Sequence, residues 1–227
     1  EVFLGGGWGQ RDHTNTDEGA TLPYVIRRVE GDGRPEAFVT VFAGCQGEQT
    51  LVRSVRVLAL PENALDGTVA VAVDTRLGTD VVLTMLEPTS VTVSTDLGDL
   101  ASNGRLAVVR SSGSEPESIL GVGGTNLTLE EIEVASPEGV LSGKIVANGS
   151  EQGSSWFDLD VAADTIQAYA GQTLFVSADD GPHGYRMRDI THHGAGARVF
   201  TKQNHVGFEA RASDSWEIPV TSYWERT

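Results

Sequence analysis

The sequence predicts an all-β protein: a large antiparallel β-sandwich, with room for a second, smaller sheet in the C-terminal third. Short runs rich in Val, Leu and Phe recur along the whole chain, broken about every 8–12 residues by Gly, Asp, Asn or Pro. The breaks carry residues that tolerate positive φ or build side-chain turns, as tight β connections require. Helix-compatible patterning is confined to one short segment, Thr128–Ala135, which is β-branched towards its end and is read as a strand.

In chain order, Leu22–Val29 is the first long apolar run, and Gly31-Asp32-Gly33 turns it into Ala37–Gly44. There Phe38, Thr40 and Phe42 share one face and Val39 and Val41 the other, which predicts a strand covered on both sides, as two stacked sheets would do. Leu51–Leu60 follows; Asp66-Gly67 then introduces Thr68–Thr75, Asp80–Leu86 and Ser90–Thr95. Asn103-Gly104 leads into Arg105–Arg110, and the polar loop Ser111–Pro116 into Ser118–Val122. Pro137-Glu138-Gly139 precedes Leu141–Val146, and Asn148-Gly149, at the edge of a second polar loop, Gly149–Ser155, precedes Trp156–Val161. Thr173–Ser177, His183–Ile190, Ala197–Thr201 and Glu217–Tyr223 complete the set. No internal repeat is visible. Strand patterning resumes on either side of both polar loops, so the organisation is one body, or residues 1–117 as the main sandwich region with 118–227 as a C-terminal sheet layer.

At 227 residues the chain buries enough surface to need neither disulfides nor a metal for stability. Cys45 is the single cysteine and reads as a small buried apolar residue, which excludes an intrachain disulfide and a cysteine metal cage. No apolar run approaches the length of a membrane helix. A net charge of −16 argues against nucleic acid as a partner, since such binding neutralises phosphates. Fourteen of the sixteen cations are Arg, which favours planar, bidentate partners such as carboxylates. Glu1 leads straight into an apolar segment, and a preceding leader, propeptide or larger enzyme is expected.

Chemistry-bearing residues are densest in Gly5–Asp17, where three consecutive glycines precede Trp8, Gln10, Arg11 and His13, types that grip sugars and carboxylates. Without a lysine, a Ser/Thr pair or a following helix, the glycines do not form a phosphate cradle. The structural alternative is a hydrogen-bonded loop with Arg11 and Asp12 paired. His192 and His193 are adjacent, so on a strand they face opposite ways and do not serve one metal; a solvent-exposed turn ending at Gly194-Ala195-Gly196 is expected. Asp158-Leu159-Asp160 and Asp179-Asp180-Gly181 lack a calcium-loop pattern and read as turn residues. No Gly-x-Ser-x-Gly elbow supports Ser-His-Asp catalysis. Trp156, Trp216, Tyr223 and Trp224 form either a carbohydrate platform or core and sheet-face packing.

The order of segments is more telling than any one motif. Glu1–Leu4, Trp8–Asp12 and Gly19–Arg28, then Phe38–Phe42 with Val52–Arg56, and Gly104–Val109 with Leu120–Thr125, resemble the C-terminal β region of heparinase II/III-like polysaccharide lyases over nearly the whole chain. The resemblance implies antiparallel β layers joined, in the parent enzyme, to an N-terminal α-helical toroid, which would be this chain's partner. Together they would cleave uronic-acid-containing glycans by β-elimination: neutralising the uronate carboxylate, abstracting the adjacent proton and protonating the departing oxygen. The family's catalytic segments and its zinc site, bound by His and Asp, match no residue here and belong upstream of Glu1. No catalytic residue, metal ligand or cofactor is therefore assigned to this chain, which alone is expected to be inactive. The residues expected to touch an anionic polysaccharide are Trp8, stacking on a sugar, Arg11, meeting a carboxylate, and Gln10 and His13, bonding hydroxyls; Arg27, Arg28, Arg53 and Arg56 form either a supporting positive patch or an exposed face balanced by Glu30, Glu36 and Glu48. The family points to a secreted or periplasmic bacterial enzyme. Two other classes stay open: a non-catalytic carbohydrate-binding sandwich, and a structural or assembly β-protein.

Overall fold

A computed structural model describes residues 2–8, 21–27, 39–41, 45–46, 49–134, 136–151, 154–179, 181–202 and 211–226. The chain divides into two compact units, Glu1–Glu36 and Ala37–Thr227. The first contains the antiparallel pair β1 (Val2–Trp8) and β2 (Thr21–Arg27), in register from Val2 opposite Arg27 to Trp8 opposite Thr21. Val2, Phe3, Leu4 and Ile26 are exposed.

Among its described residues the regular structure of the second unit is all β apart from one α-helical turn and the 3-10 turn Gln167–Tyr169 that follows it. After the two-residue ladder of β3 (Cys45–Gln46) and β4 (Gln49–Thr50) come β5 (Val52–Val57), β6 (Val69–Thr75), β7 (Thr79–Thr84), β8 (Val91–Thr95) and β9 (Gly98–Ser102). β10 (Leu106–Ser112), β11 (Glu115–Val122), β12 (Leu127–Leu129) and β13 (Ile132–Glu133) follow. Then come β14 (Val140–Glu151), β15 (Ser154–Leu159), α1 (Ala163–Ile166), β16 (Thr173–Ala178), β17 (Gly181–His193), β18 (Gly196–Thr201), β19 (Ser215–Pro219) and β20 (Thr221–Glu225). Among the described residues no helix is long and apolar enough to cross a membrane.

These strands build a sandwich and a barrel. A six-stranded sheet, β20-β11-β10-β7-β6-β5, packs on a four-stranded one, β13-β12-β9-β8. Alternate residues meet between them: Ala70, Ala72, Val81, Leu83, Ala107, Val109 and Ile119 from the first, Val91, Val93, Leu100, Leu127 and Leu129 from the second. The barrel closes in the order β14-β15-β18-β17-β16-β19 around Phe157, Leu174, Met187, Val199, Trp216 and Ile218, with Ala163 and Ile166 of α1 joining that core. Its two long strands turn the corners. β14 pairs with β19 through Lys144 and with β15 from Ile145, β17 pairs with β16 through Arg186 and with β18 from Met187, and each carries a bulge just past the switch.

The C-terminal third is thus a closed barrel plus one strand returned to the sandwich. The run predicted as one strand over Glu217–Tyr223 is two: β19 ends in the barrel at Pro219, and β20 pairs with β11 of the sandwich. Pro219 has no N–H to extend the ladder, and the chain crosses at Val220, whose N–H donates to Gly139 O (2.8 Å). Thr128–Ala135 is not one strand either. β12 and β13 pair through Leu129 and Ile132 across Glu130-Glu131, with Glu130 at φ 50° and accepting from Asp99 N–H (2.8 Å). Of Ala37–Gly44, residues 39–41 are described; they are exposed and outside any strand, so the predicted two-sided cover fails there. Alternation reports an extended backbone, not what lies against it. Asn148-Gly149 lies within β14 rather than in a turn, because Gly149 faces Trp156 across the ladder and a Cβ there would stand 2.6 Å from the indole Cζ2.

At the sandwich edge, Asp74 accepts hydrogen bonds from Ser54 Oγ and from Thr79 Oγ1 (3.0 Å), with Arg56 beside it, and these hold its carboxyl below the ordinary carboxylate value. A folded-state value below the unfolded one stabilises fully above the unfolded value, and that stabilisation is lost as pH falls through the folded one. The urea midpoint is therefore expected to fall on acidification below about pH 4, and Asp74→Asn to remove part of that fall. An unchanged acid slope in the variant counts against the assignment.

Candidate functional site

Of the residues expected to touch substrate, Trp8 ends β1 opposite Thr21, while Gln10, Arg11 and His13 lie outside the described residues, as does Arg28. Arg56 is on the exposed edge strand and pairs with Asp74 and Asp96, while Glu30, Glu36 and Glu48 lie outside the described residues. Trp216 is a barrel-core residue and Trp224 packs against the sandwich core, so the aromatics read as a platform do not form one row.

A polar and aromatic cluster that the sequence does not single out joins Trp156, Asp158, His193 and Arg198. It lies on the outer face of the barrel, on β15, β17 and β18. Phe157, Leu159, Ala197 and Val199 point into the core, which by strand alternation turns Trp156, Asp158, Arg198 and Phe200 outward. Asp158 and Arg198 are ladder partners. The guanidinium meets the carboxylate as a fork, Nε to Oδ1 at 2.7 Å and Nη2 to Oδ2 at 2.8 Å, and its centre lies 3.9 Å from the Trp156 ring centroid. Beneath this stack the Asp158 side chain is only 8% exposed. The aspartate expected in a turn is instead a buried strand residue, held because its charge is answered directly opposite.

His193 ends β17, where Gly194 at φ 60° turns the chain into β18. The expected exposed turn is present, and His192 and His193 are both exposed. His193 Nε2 lies 3.5 Å from Asp158 Oδ2 and 3.2 Å from Arg198 Nη2. His192 Nε2 lies 3.3 Å from Asp164. Beside the first stack, Arg188 covers Phe200 at 5.8 Å while Nε donates to Asp189 and Nη1 to Ser154 Oγ (2.9 Å).

Two aromatic rings under two guanidinium planes, edged by a hydroxyl and an imidazole, make a surface suited to flat polar ligands that stack and hydrogen-bond. They do not make a proton relay. Asp158 is committed to Arg198, and at 3.5 Å it does not hold His193 in the short hydrogen bond that a carboxylate-oriented base needs. Nor do the His–carboxylate pairs fit a zinc site, since no three His, Cys, Asp or Glu side chains among the described residues converge as a metal group. Sequence reading missed the cluster because Asp158, Trp156, His193 and Arg198 lie on three strands. The nearest signal was the alternation Trp156-Phe157-Asp158-Leu159, which puts an aromatic and a carboxylate on one face.

Compared with family models, with curated proteins and with solved structures, the chain matches none.

Proposed function

We propose that this chain is the C-terminal β portion of a heparinase II/III-like lyase of uronic-acid-containing glycans, contacting the polymer and supporting the cleft while bond cleavage belongs to a helical portion of the parent enzyme. The observation that carries the glycan-contacting role is the outer barrel face, where Trp156 and Phe200 underlie Arg198 and Arg188. A guanidinium laid over an aromatic ring is held flat by it, and presents its planar face and remaining N–H groups to the hydroxyls and carboxylates of a sugar. The segments Gly104–Val109 and Leu120–Thr125, which carry part of the resemblance, run through adjacent antiparallel strands, β10 and β11, in keeping with the β layers it implies. A secreted or periplasmic setting goes with the proposal.

Affinity electrophoresis tests it. Migration is expected to be retarded in gels containing a uronic-acid polymer and not in gels containing a neutral glucan, with Trp156→Ala reducing the retardation at least about fivefold. The same chain is expected to release no unsaturated uronate, followed by its ultraviolet absorbance. Equal mobility in all gels sinks the glycan role, and steady turnover by the chain alone sinks the division of labour.

A further inference from the structure

Three of the sandwich's sheet edges are blunted against further strands. At one end of the six-stranded sheet, β5 carries a register shift at Arg53 and the charged Arg56, and bulges and edge charges both deter pairing. In the four-stranded sheet β13 is two residues long, and β8 is fringed by the loop between β5 and β6, from which Asn63 Nδ2 donates to Ser90 O (3.1 Å) just ahead of the strand. The barrel, being closed, has no edge.

β20 is the exception. It ends the six-stranded sheet as Thr221-Ser222-Tyr223-Trp224-Glu225, without proline, lysine or bulge, and among the described residues no strand pairs with its outer side. Its backbone groups divide by parity. Gly123 N–H donates to Val220 O (2.9 Å) and Arg226 N–H to Glu117 O (2.9 Å), which puts the hydrogen-bonded pairs of the β11–β20 ladder at the even-numbered residues of β20. Antiparallel alternation then turns Ser222 and Trp224 towards β11, and turns the N–H and C=O of Thr221, Tyr223 and Glu225 to the open edge. Side chains alternate too. Trp224 packs against the sandwich core, so Tyr223 stands on the opposite face of the sheet, 57% exposed. It ends an apolar row of successive ladder partners, Val71, Val82, Val108 and Leu120.

Such an edge accepts a strand, and its own sequence fits it. Laid antiparallel about a two-fold axis at Tyr223, a second β20 sets Tyr223 opposite Tyr223 and Thr221 opposite Glu225. Every open N–H and C=O of the strand then lies in a hydrogen-bonded pair. The strand's one charge, Glu225, meets threonine rather than its own copy, and the two tyrosine rings form a cross-strand pair that carries the apolar row from one sheet into the other.

We infer that β20 is a self-pairing edge, through which two copies of this chain join their six-stranded sheets into one, centred on Tyr223.

Sedimentation equilibrium over a range of concentrations tests it, in about 0.15 M salt, which screens distant charges on the two chains but not neighbours across one ladder. The apparent mass of the wild-type chain is expected to rise with concentration towards twice that of one chain. Tyr223→Lys and Tyr223→Glu each set like charges face to face at the axis, and each is expected to weaken association at least about fivefold. An equimolar mixture of the two variants is expected to regain it, because Lys then faces Glu; regained association also shows that both variants fold. Arg53→Ala, on the opposite edge of the sheet, is expected to change nothing. A wild-type chain that stays monomeric, association undiminished in either charged variant, a mixture no better than its components, or a loss of association in Arg53→Ala overturns the pairing.

Discussion

Replacing Arg198 by leucine is expected to destabilise the second unit by about 3–5 kcal/mol, the cost of leaving a buried charge without its partner. The carboxylate it would abandon, Asp158, is 8% exposed, and the guanidinium supplies both of the forked hydrogen bonds described above. His193 at 3.5 Å is a weak substitute, half exposed and too distant for a short hydrogen bond. Asp158→Leu combined with Arg198→Leu is expected to recover much of the stability, because neither charge is then stranded. Urea unfolding of the single and double variants provides the measurement. A single variant within about 0.5 kcal/mol of wild type would mean that Asp158 is not buried as described.

The second large effect belongs to Trp216, which is 2% exposed in the barrel core. Its Nε1–H donates to Asp160 Oδ1 (2.9 Å) and lies 3.2 Å from Lys144 O. Trp216→Ala is expected to cost about 3–5 kcal/mol, through lost burial and the cavity left behind. The same site can be approached from the opposite strand. Gly143 is the ladder partner of Trp216, and a Cβ there would stand 2.9 Å from the indole Cζ2 and 2.1 Å from Asp160 Oδ1. Gly143→Ala is therefore expected to cost about 1–3 kcal/mol by overpacking, and distinctly less in the Trp216→Ala background, where the indole is gone. Additive costs would show that the two positions do not meet. Tryptophan fluorescence supplies a second readout, since Trp216→Ala is expected to remove the most blue-shifted emission.

These sites show how far strand reading reached. Thr68–Thr75, Asp80–Leu86 and Ser90–Thr95 are strands within a residue or two of their predicted ends, because alternating apolar residues next to Gly and Asp leave few other solutions. Gly98–Ser102 was missed, since Gly and Asp at its start imitate a turn; it is held by pairing with β8 and β12. Gly143, Gly149 and Gly184 each face an aromatic ring across a ladder, Trp216, Trp156 and Phe175 respectively. In a linear sequence they are indistinguishable from turn glycines, and only the register shows that they make room for rings. The expected contacts at Gln10, Arg11 and His13 lie outside the described residues, and the candidate site is instead the outer-face cluster on β15, β17 and β18.

By itself, the sequence determined the all-β class and most of the strands, because side-chain alternation is local and survives in a one-dimensional pattern. Tertiary structure alone decided that β14 and β17 bend to close a barrel, that β20 leaves it to rejoin the sandwich, and that Asp158 is a buried partner of Arg198 rather than a turn residue. The reason is physical: closure, charge pairing and burial depend on which residue lies opposite which, and that register is settled by long-range ladders and packing.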